Sequence, residues 1–197
     1  MNIRYLAPLR YHALATLWAL LLLFASCIER KPERLTKRES PVTGELASMV
    51  RQLEAMPADT LLSQEVRIRQ EMEFRRTIYQ FLAQSLLVEP VDLYRASLVL
   101  YETSRPSETE TLLLAHLLAM ESARKGYDAA RHLAAATLDR YLVRQGLAQK
   151  YGTQCDRDRF GRWFIPFFDT LTGDSERAIW GVPPLDSLKL LVSIKNK

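Results

Sequence analysis

The sequence predicts a mainly α-helical protein, a compact helical bundle with an αα-hairpin at its centre and a small β-hairpin near the C-terminus. Three observations lead there. Glycine is scarce, with seven in 197 residues. Strand-like alternation is rare, whereas apolar residues recur at helical spacing from Thr43 onward. An alanine-rich run then stops at Gly146, where the texture of the chain changes. At 48% hydrophobic and 25% charged, the composition is globular rather than disordered.

Residues 1–26 have the layout of a secretory leader. Arg4 and Arg10 supply positive charge, and Ala13 to Ser26 is uncharged with Leu-Trp-Ala-Leu-Leu-Leu-Leu-Phe at its centre. The end, Phe24-Ala25-Ser26-Cys27, resembles the lipobox of bacterial lipoproteins, with Phe24 where Leu, Val or Ile is usual. The resemblance implies cleavage before Cys27 and lipidation, with palmitate among the chains, of that residue. An uncleaved anchor is the rival, but the run is short for a span of about 20 residues. The other cysteine is Cys155. A disulfide between the two is the default for an exported chain, and lipidation of Cys27 excludes it.

Residues 27–43 read as a tether. Ile28 to Pro41 is charged, holds two prolines and only two apolar residues. Residues 44–197 read as a single helical domain. A first helix runs from Thr43 to about Ala55, with Leu46, Val50 and Leu53 at i, i+4 and i+7, and Pro57 breaks it. Asp59 or Thr60 caps a second, expected to about Val88. Its stripe is Leu61, Ile68, Met72, Ile78, Tyr79, Leu82 and Leu86, flanked by Phe74 and Phe81. Arg67, Glu71 and Arg75 fall inside that stripe, one turn apart. They form either a surface ladder or a partly buried ionic network beside a site.

Pro90 suits a helix start, followed by Val91 to Thr103. Ser107 and Glu110 have capping-box spacing for a fourth helix to Lys125. That helix is apolar nearly all round, through Leu112, Leu113, Leu114, Leu117, Leu118 and Met120, so it should be buried. His116 among those leucines reads as a satisfied core histidine. Gly126 ends the helix, Asp128 can cap the next, and the alanines at 129, 130, 134, 135 and 136 allow close helix contact. This pair resembles one tetratricopeptide-like hairpin, but no second copy follows at about 34 residues.

Beyond Gly146, Lys150 to Cys155 and Arg162 to Ile165 are expected to form a hairpin. The aromatic run Trp163 to Phe168 should pack back on the helices; exposed, it would be a contact patch for a partner or a membrane. Asp174 or Ser175 starts a short helix to Trp180, and Leu185 to Ile194 a last one with Leu188 and Leu191 inward.

Asp139-Arg140, Gly146 with Gln149, Tyr151-Gly152-Thr153-Gln154, Glu176-Arg177, and Gly181 with Pro184-Leu185 resemble a bacterial domain-of-unknown-function family. Its signature is DR, then GxxQxYGTQ, then an arginine and a closing GxxPL. Gln64 and Arg67 match its upstream Q-x-x-R element. Where relatives carry Gln-His, this chain has Tyr101-Glu102. The resemblance implies a fold and a candidate site, and no reaction.

That site comprises Arg67, Asp139, Arg140, Tyr151, Thr153, Gln154 and Arg177. Such a set would bind a carboxylate or a polar peptide group. Alternatively, Asp139 and Arg140 pin the loop and the motif serves folding. No G-x-S-x-G, HExxH or Walker motif occurs. His116 and His132 are not spaced as metal ligands on one helix, so neither metal nor cofactor is predicted. Without the leader arginines the chain holds 25 basic and 23 acidic residues, too even a balance for nucleic acid.

Two functions follow as expectations. The first is a lipid-anchored domain of the bacterial envelope that binds a protein or peptide. The second is a hydrolase or transferase on an envelope polymer, centred on Asp139, Tyr151 and Gln154. An enzyme should show a pocket where those groups meet, and a binding module an exposed apolar patch, first of all at Trp163 to Phe168. Ile28, in place of the aspartate that marks inner-membrane retention, favours an outer membrane where there is one.

Overall fold

The computed structural model of the protein describes residues 41–56 and 61–196. The expected leader, Cys27 and most of the tether lie outside the described residues, as do Pro57, Asp59 and Thr60. The elements are α1 (Pro41–Ala55), α2 (Leu61–Ala83), α3 (Pro90–Thr103), α4 (Thr109–Arg124), α5 (Ala129–Arg144), β1 (Asp156–Arg157), β2 (Trp163–Phe164), α6 (Asp174–Ile179) and α7 (Leu185–Lys195). Among the described residues no helix is long and apolar enough to cross a membrane.

The bundle is built around α3, which packs against α1, α2, α4 and α5. Leu46, Ile78, Val99, Leu100 and Leu112 are fully buried in its core. Each contributes about 1.5–3 kcal/mol relative to exposure. Small residues set the spacing. Ala96, Ala115, Ala119 and Ala134 are buried with almost no accessible surface, so α4 lies close to both α3 and α5. Two serines tie α4 to α3: Ser97 donates to the Ala115 carbonyl at 2.7 Å, and Ser122 to that of Pro90 at 2.6 Å.

α1 opens at Pro41, inside the expected tether. Thr43 is buried and donates to Asp92 at 2.9 Å, while Arg95 donates to the Thr43 carbonyl at 3.2 Å. Those two bonds to α3 hold residues that composition alone assigned to a spacer.

α2 ends at Ala83, short of Val88. The Ser85 amide bonds to Leu82 and the Leu86 amide to Phe81, with Ser85 at φ +55°. This is a Schellman stop made without glycine. The predicted stripe is also rotated. Phe74 and Ile78 are buried, whereas Ile68, Met72, Tyr79 and Leu86 are exposed. Phe74, Ile78 and Leu82 recur at i, i+4 and i+8, and that narrower line meets the core. The charge ladder keeps one rung, Arg67 to Glu71 at 2.7 Å. Arg75 leaves it, buried, and donates to the Thr103 carbonyl.

α4 begins at Thr109, without the Ser107 capping box. Glu108 folds back instead, its carboxylate accepting from the Arg105 amide at 3.4 Å and its own amide donating to the Arg105 carbonyl at 2.9 Å. α4 is also one-sided. Leu112, Ala115, Leu118 and Ala119 are buried, but Leu113, Leu117 and Met120 are exposed. The hairpin of α4 and α5 presents that second face outward, so a helix apolar on all sides is covered on only part of its circumference. His116 is half-buried, its Nδ1 donating to the Ala134 carbonyl at 2.9 Å. Asp128 is itself helical, makes no side-chain cap bond and pairs with Arg131 at 3.3 Å.

The C-terminal hairpin is shorter than expected. Asp156 pairs with Phe164 and Arg157 with Trp163. Lys150 to Cys155 is a loop rather than a strand, because the amides of Lys150, Tyr151 and Thr153 are bonded to the Asp139 carboxylate and that of Gln154 to the Gln149 side chain. Trp163 to Phe168 does not pack into the helical core: Phe167 is 79% exposed and Phe164 is also exposed. In α7, Leu188 is half-buried and Leu191 faces outward.

Candidate functional site

Asp139 sits in the third turn of α5 with no exposed surface. A buried carboxylate is stable only with its lone pairs occupied. Here the chain that follows supplies the donors. Oδ1 accepts the amides of Lys150 at 2.7 Å and Tyr151 at 2.9 Å. Oδ2 accepts the Thr153 amide at 2.9 Å and its hydroxyl at 2.8 Å. Four bonds thus wrap the YGTQ segment around one side chain. The wrap needs a left-handed residue in the middle, and Gly152 has φ +82°.

Gln149, fully buried, closes the loop from the other end. Its Nε2 donates to the carbonyls of Gln154 and Pro166 at 3.1 Å each, and its Oε1 accepts the Gln154 amide at 2.9 Å. Gln154 is spent in the same way. Its Nε2 donates to the Ala136 carbonyl, the Thr153 hydroxyl and the Tyr101 hydroxyl, and its Oε1 accepts from Arg140 Nε at 3.2 Å. Tyr151 is a core residue of a small cluster with Ala135 and Val182, its ring tilted against Trp180. Burial pushes its hydroxyl pKa above the usual tyrosine value.

Arg177 joins the knot from α6. It is 2% exposed and donates from Nε to the Tyr151 carbonyl at 3.1 Å and from Nη1 to the Thr172 carbonyl. Asp139, Tyr151, Thr153, Gln154 and Arg177 therefore converge, together with Arg140. Arg67 does not. Its partner is Glu71, and it lines a separate cleft.

Arg140 faces away from Asp139. It donates to the Tyr101 carbonyl at 3.0 Å and lies over the Tyr101 ring. One turn later, Arg144 donates to the Ser104 carbonyl at 3.0 Å and to that of Arg105 at 2.8 Å. With Arg75 on the Thr103 carbonyl, two arginines satisfy carbonyls in the last turn of α3 and a third, Arg144, those of the turn just beyond it, where the helix dipole is negative. Burial raises the Tyr101 hydroxyl pKa, against the pull of the Arg140 charge. Burial, then Arg140, lowers that of Arg144.

No family model matches this chain, and neither a curated protein nor a solved structure is similar to it.

The cleft holding Arg67 has a volume of about 250 Å³ and lies among α1, α2 and α3. Val50, Leu53 and Leu98 line it, with Glu54, Glu102 and Arg67 as its charged groups. Arg67 is neutralised by Glu71, whereas Glu54 and Glu102 have no ion-pair partner among the described residues. Among those residues no three of His, Cys, Asp and Glu gather as a metal site. Gln149, Tyr101 and the two cleft glutamates were not singled out from the sequence as site residues. Gln149 stands inside the GxxQ element, and that was its only signal.

Proposed function

We propose that the chain is a lipid-anchored protein of the bacterial envelope, held to a membrane through Cys27, whose helical domain binds a protein or peptide partner in the cleft of α1, α2 and α3. The observation that carries this reading is the cleft's chemistry: an apolar lining with two unpaired carboxylates. That combination suits a basic side chain, whose methylenes cover Val50, Leu53 and Leu98 while its charge meets Glu54 and Glu102. The YGTQ knot supports the same reading from the other side. Asp139, Gln149 and Gln154 satisfy their polar atoms within the chain, so a hydrolase built on them would first have to open the loop.

The test places a photo-crosslinking side chain at Glu102 in cells. A discrete crosslinked partner is expected, retained when the crosslinker is compared with one at Leu117, which should capture nothing equivalent. Charge reversal at Glu54 should abolish the product. Identical products from both positions remove the cleft from consideration. The anchor is tested separately: radiolabelled palmitate should enter the unsubstituted protein and not Cys27→Ala, and its absence from the former sinks the envelope assignment.

A further inference from the structure

The hairpin of β1 and β2 has a chemistry unlike the cleft. Its turn and flanks expose Phe160 (67%), Phe164 (41%), Phe167 (79%) and Leu171 (91%). Side chains of this size are normally withdrawn from water, so their exposure along this segment marks a contact surface. Two rings of the hairpin, Phe160 and Trp163, carry cations. The guanidinium groups of Arg159 and Arg162 lie 4.7 Å and 5.3 Å from the centroid of Phe160. Trp163 has Arg157 at 4.5 Å and Lys195, from α7, at 4.7 Å.

The charges are not balanced locally. Asp158 is taken by Arg162 at 2.8 Å and by the amides of Phe160 and Arg162. Arg157, Arg159 and Lys195 have no carboxylate partner among the described residues. Counting Asp156 and Asp169, the group carries four cations against three anions.

We infer that this hairpin docks onto an anionic lipid surface. Aromatic rings are favoured at the level of the headgroups, and arginine and lysine stems run along apolar surface while their charges reach phosphate. A protein partner would have to supply both an apolar face and acidic groups, whereas an anionic bilayer offers the two together at its interface, and at the turn of the hairpin Phe160 stands between Arg159 and Arg162. The inference does not depend on the cleft or on its occupant.

The test uses the full chain reconstituted into phosphatidylcholine vesicles with brominated acyl chains, with or without phosphatidylglycerol. Phe167→Trp adds a reporter on the hairpin and Met72→Trp one on the exposed side of α2. Each signal is the difference from the unsubstituted chain. Both positions are exposed, so neither change disturbs the core. The hairpin reporter should be quenched when phosphatidylglycerol is present and much less without it, while the α2 reporter stays bright. Arg157→Gln with Arg159→Gln should lower the docked-to-free ratio about fivefold per charge removed, and the corresponding lysine pair should retain it. Equal quenching of the two reporters, no quenching, or quenching indifferent to lipid charge overturns the inference. So does a hairpin reporter shielded only when envelope proteins are added, which assigns the face to a protein.

Discussion

The guanidinium carbon of Arg140 stands 3.4 Å from the ring centroid of Tyr101, and Nη1 of the same arginine donates to the carbonyl of the same tyrosine. One side chain thus clamps α5 to the end of α3 by two kinds of contact. Asp139, the preceding residue, points elsewhere and holds the loop. Successive residues on a helix diverge by about 100°, so this dipeptide grips two parts of the molecule at once.

Arg140→Ala should lower stability by about 2–3 kcal/mol, since a charged hydrogen bond and a desolvated cation–π contact are both lost. Arg140→Lys should recover under half of that, because an ammonium cannot stack and fork together. Urea unfolding at constant slope measures both. An alanine variant as stable as the parent would show the clamp to be idle.

Asp139→Ala leaves three amides and a hydroxyl without acceptors in a buried place. A loss of about 3–5 kcal/mol is expected, with early proteolysis between Lys150 and Cys155. Asp139→Asn should fall between the two, because its amide group turns a donor toward donors. Limited proteolysis with mass mapping reports the site of first cleavage.

Gly152→Ala separates backbone strain from crowding. An added Cβ would meet Leu188 Cδ1 at 3.5 Å, an ordinary contact. The cost should therefore come from φ +82° and amount to about 1–2 kcal/mol. If Leu188→Ala in the same background restores stability, crowding was the cause instead.

Burial holds the His116 pKa below the ordinary histidine value, opposed by the bond to the Ala134 carbonyl. The native imidazole is therefore neutral at a pH where the unfolded one takes up a proton. Stability from this group is complete above the unfolded value of 6.5 and falls as pH drops below it. Urea midpoints measured between about pH 8 and 5, where histidine titrates, should decline more steeply for the parent than for His116→Gln. Parallel curves would place the histidine in water.

Leu112→Ala should cost about 2–5 kcal/mol and Leu117→Ala no more than about 0.5 kcal/mol. The two leucines share a helix, but the first is fully buried and the second 57% exposed. Similar losses would mean that α4 is covered on both sides in solution.

Helix boundaries set by local punctuation are legible in this sequence. Pro90, Gly126 and Gly146 begin or end helices because each acts through its own backbone angles. Ser85 was not, since a serine at φ +55° depends on what surrounds it. The caps expected at Ser107 and Asp128 do not form for a related reason: α4 starts with Glu108 turned back onto the Arg105 amide, and Asp128 pairs with Arg131. Which apolar face is used is a tertiary matter, hence the reversal of Phe74 and Met72 in α2 and the exposure of Leu113. Asp139 and the YGTQ loop stood out as a motif, yet nothing in one dimension says that four donors converge on one carboxylate. Arg67 was drawn into the group by spacing to a motif, and the fold carries α2 to a different neighbourhood.

α7 has no buried residue. Four attachments secure it: Asp174 Oδ1 accepting the Leu185 amide at 3.0 Å, Leu188 resting on Gly152, Lys195 lying over the Trp163 ring, and Asn196 exchanging two bonds with Trp163. It behaves as a latch bolted at one end and clipped at the other. Trimming the chain before Lys195 would unclip it and leave the hairpin to swing as a free arm, while the five-helix body stays shut.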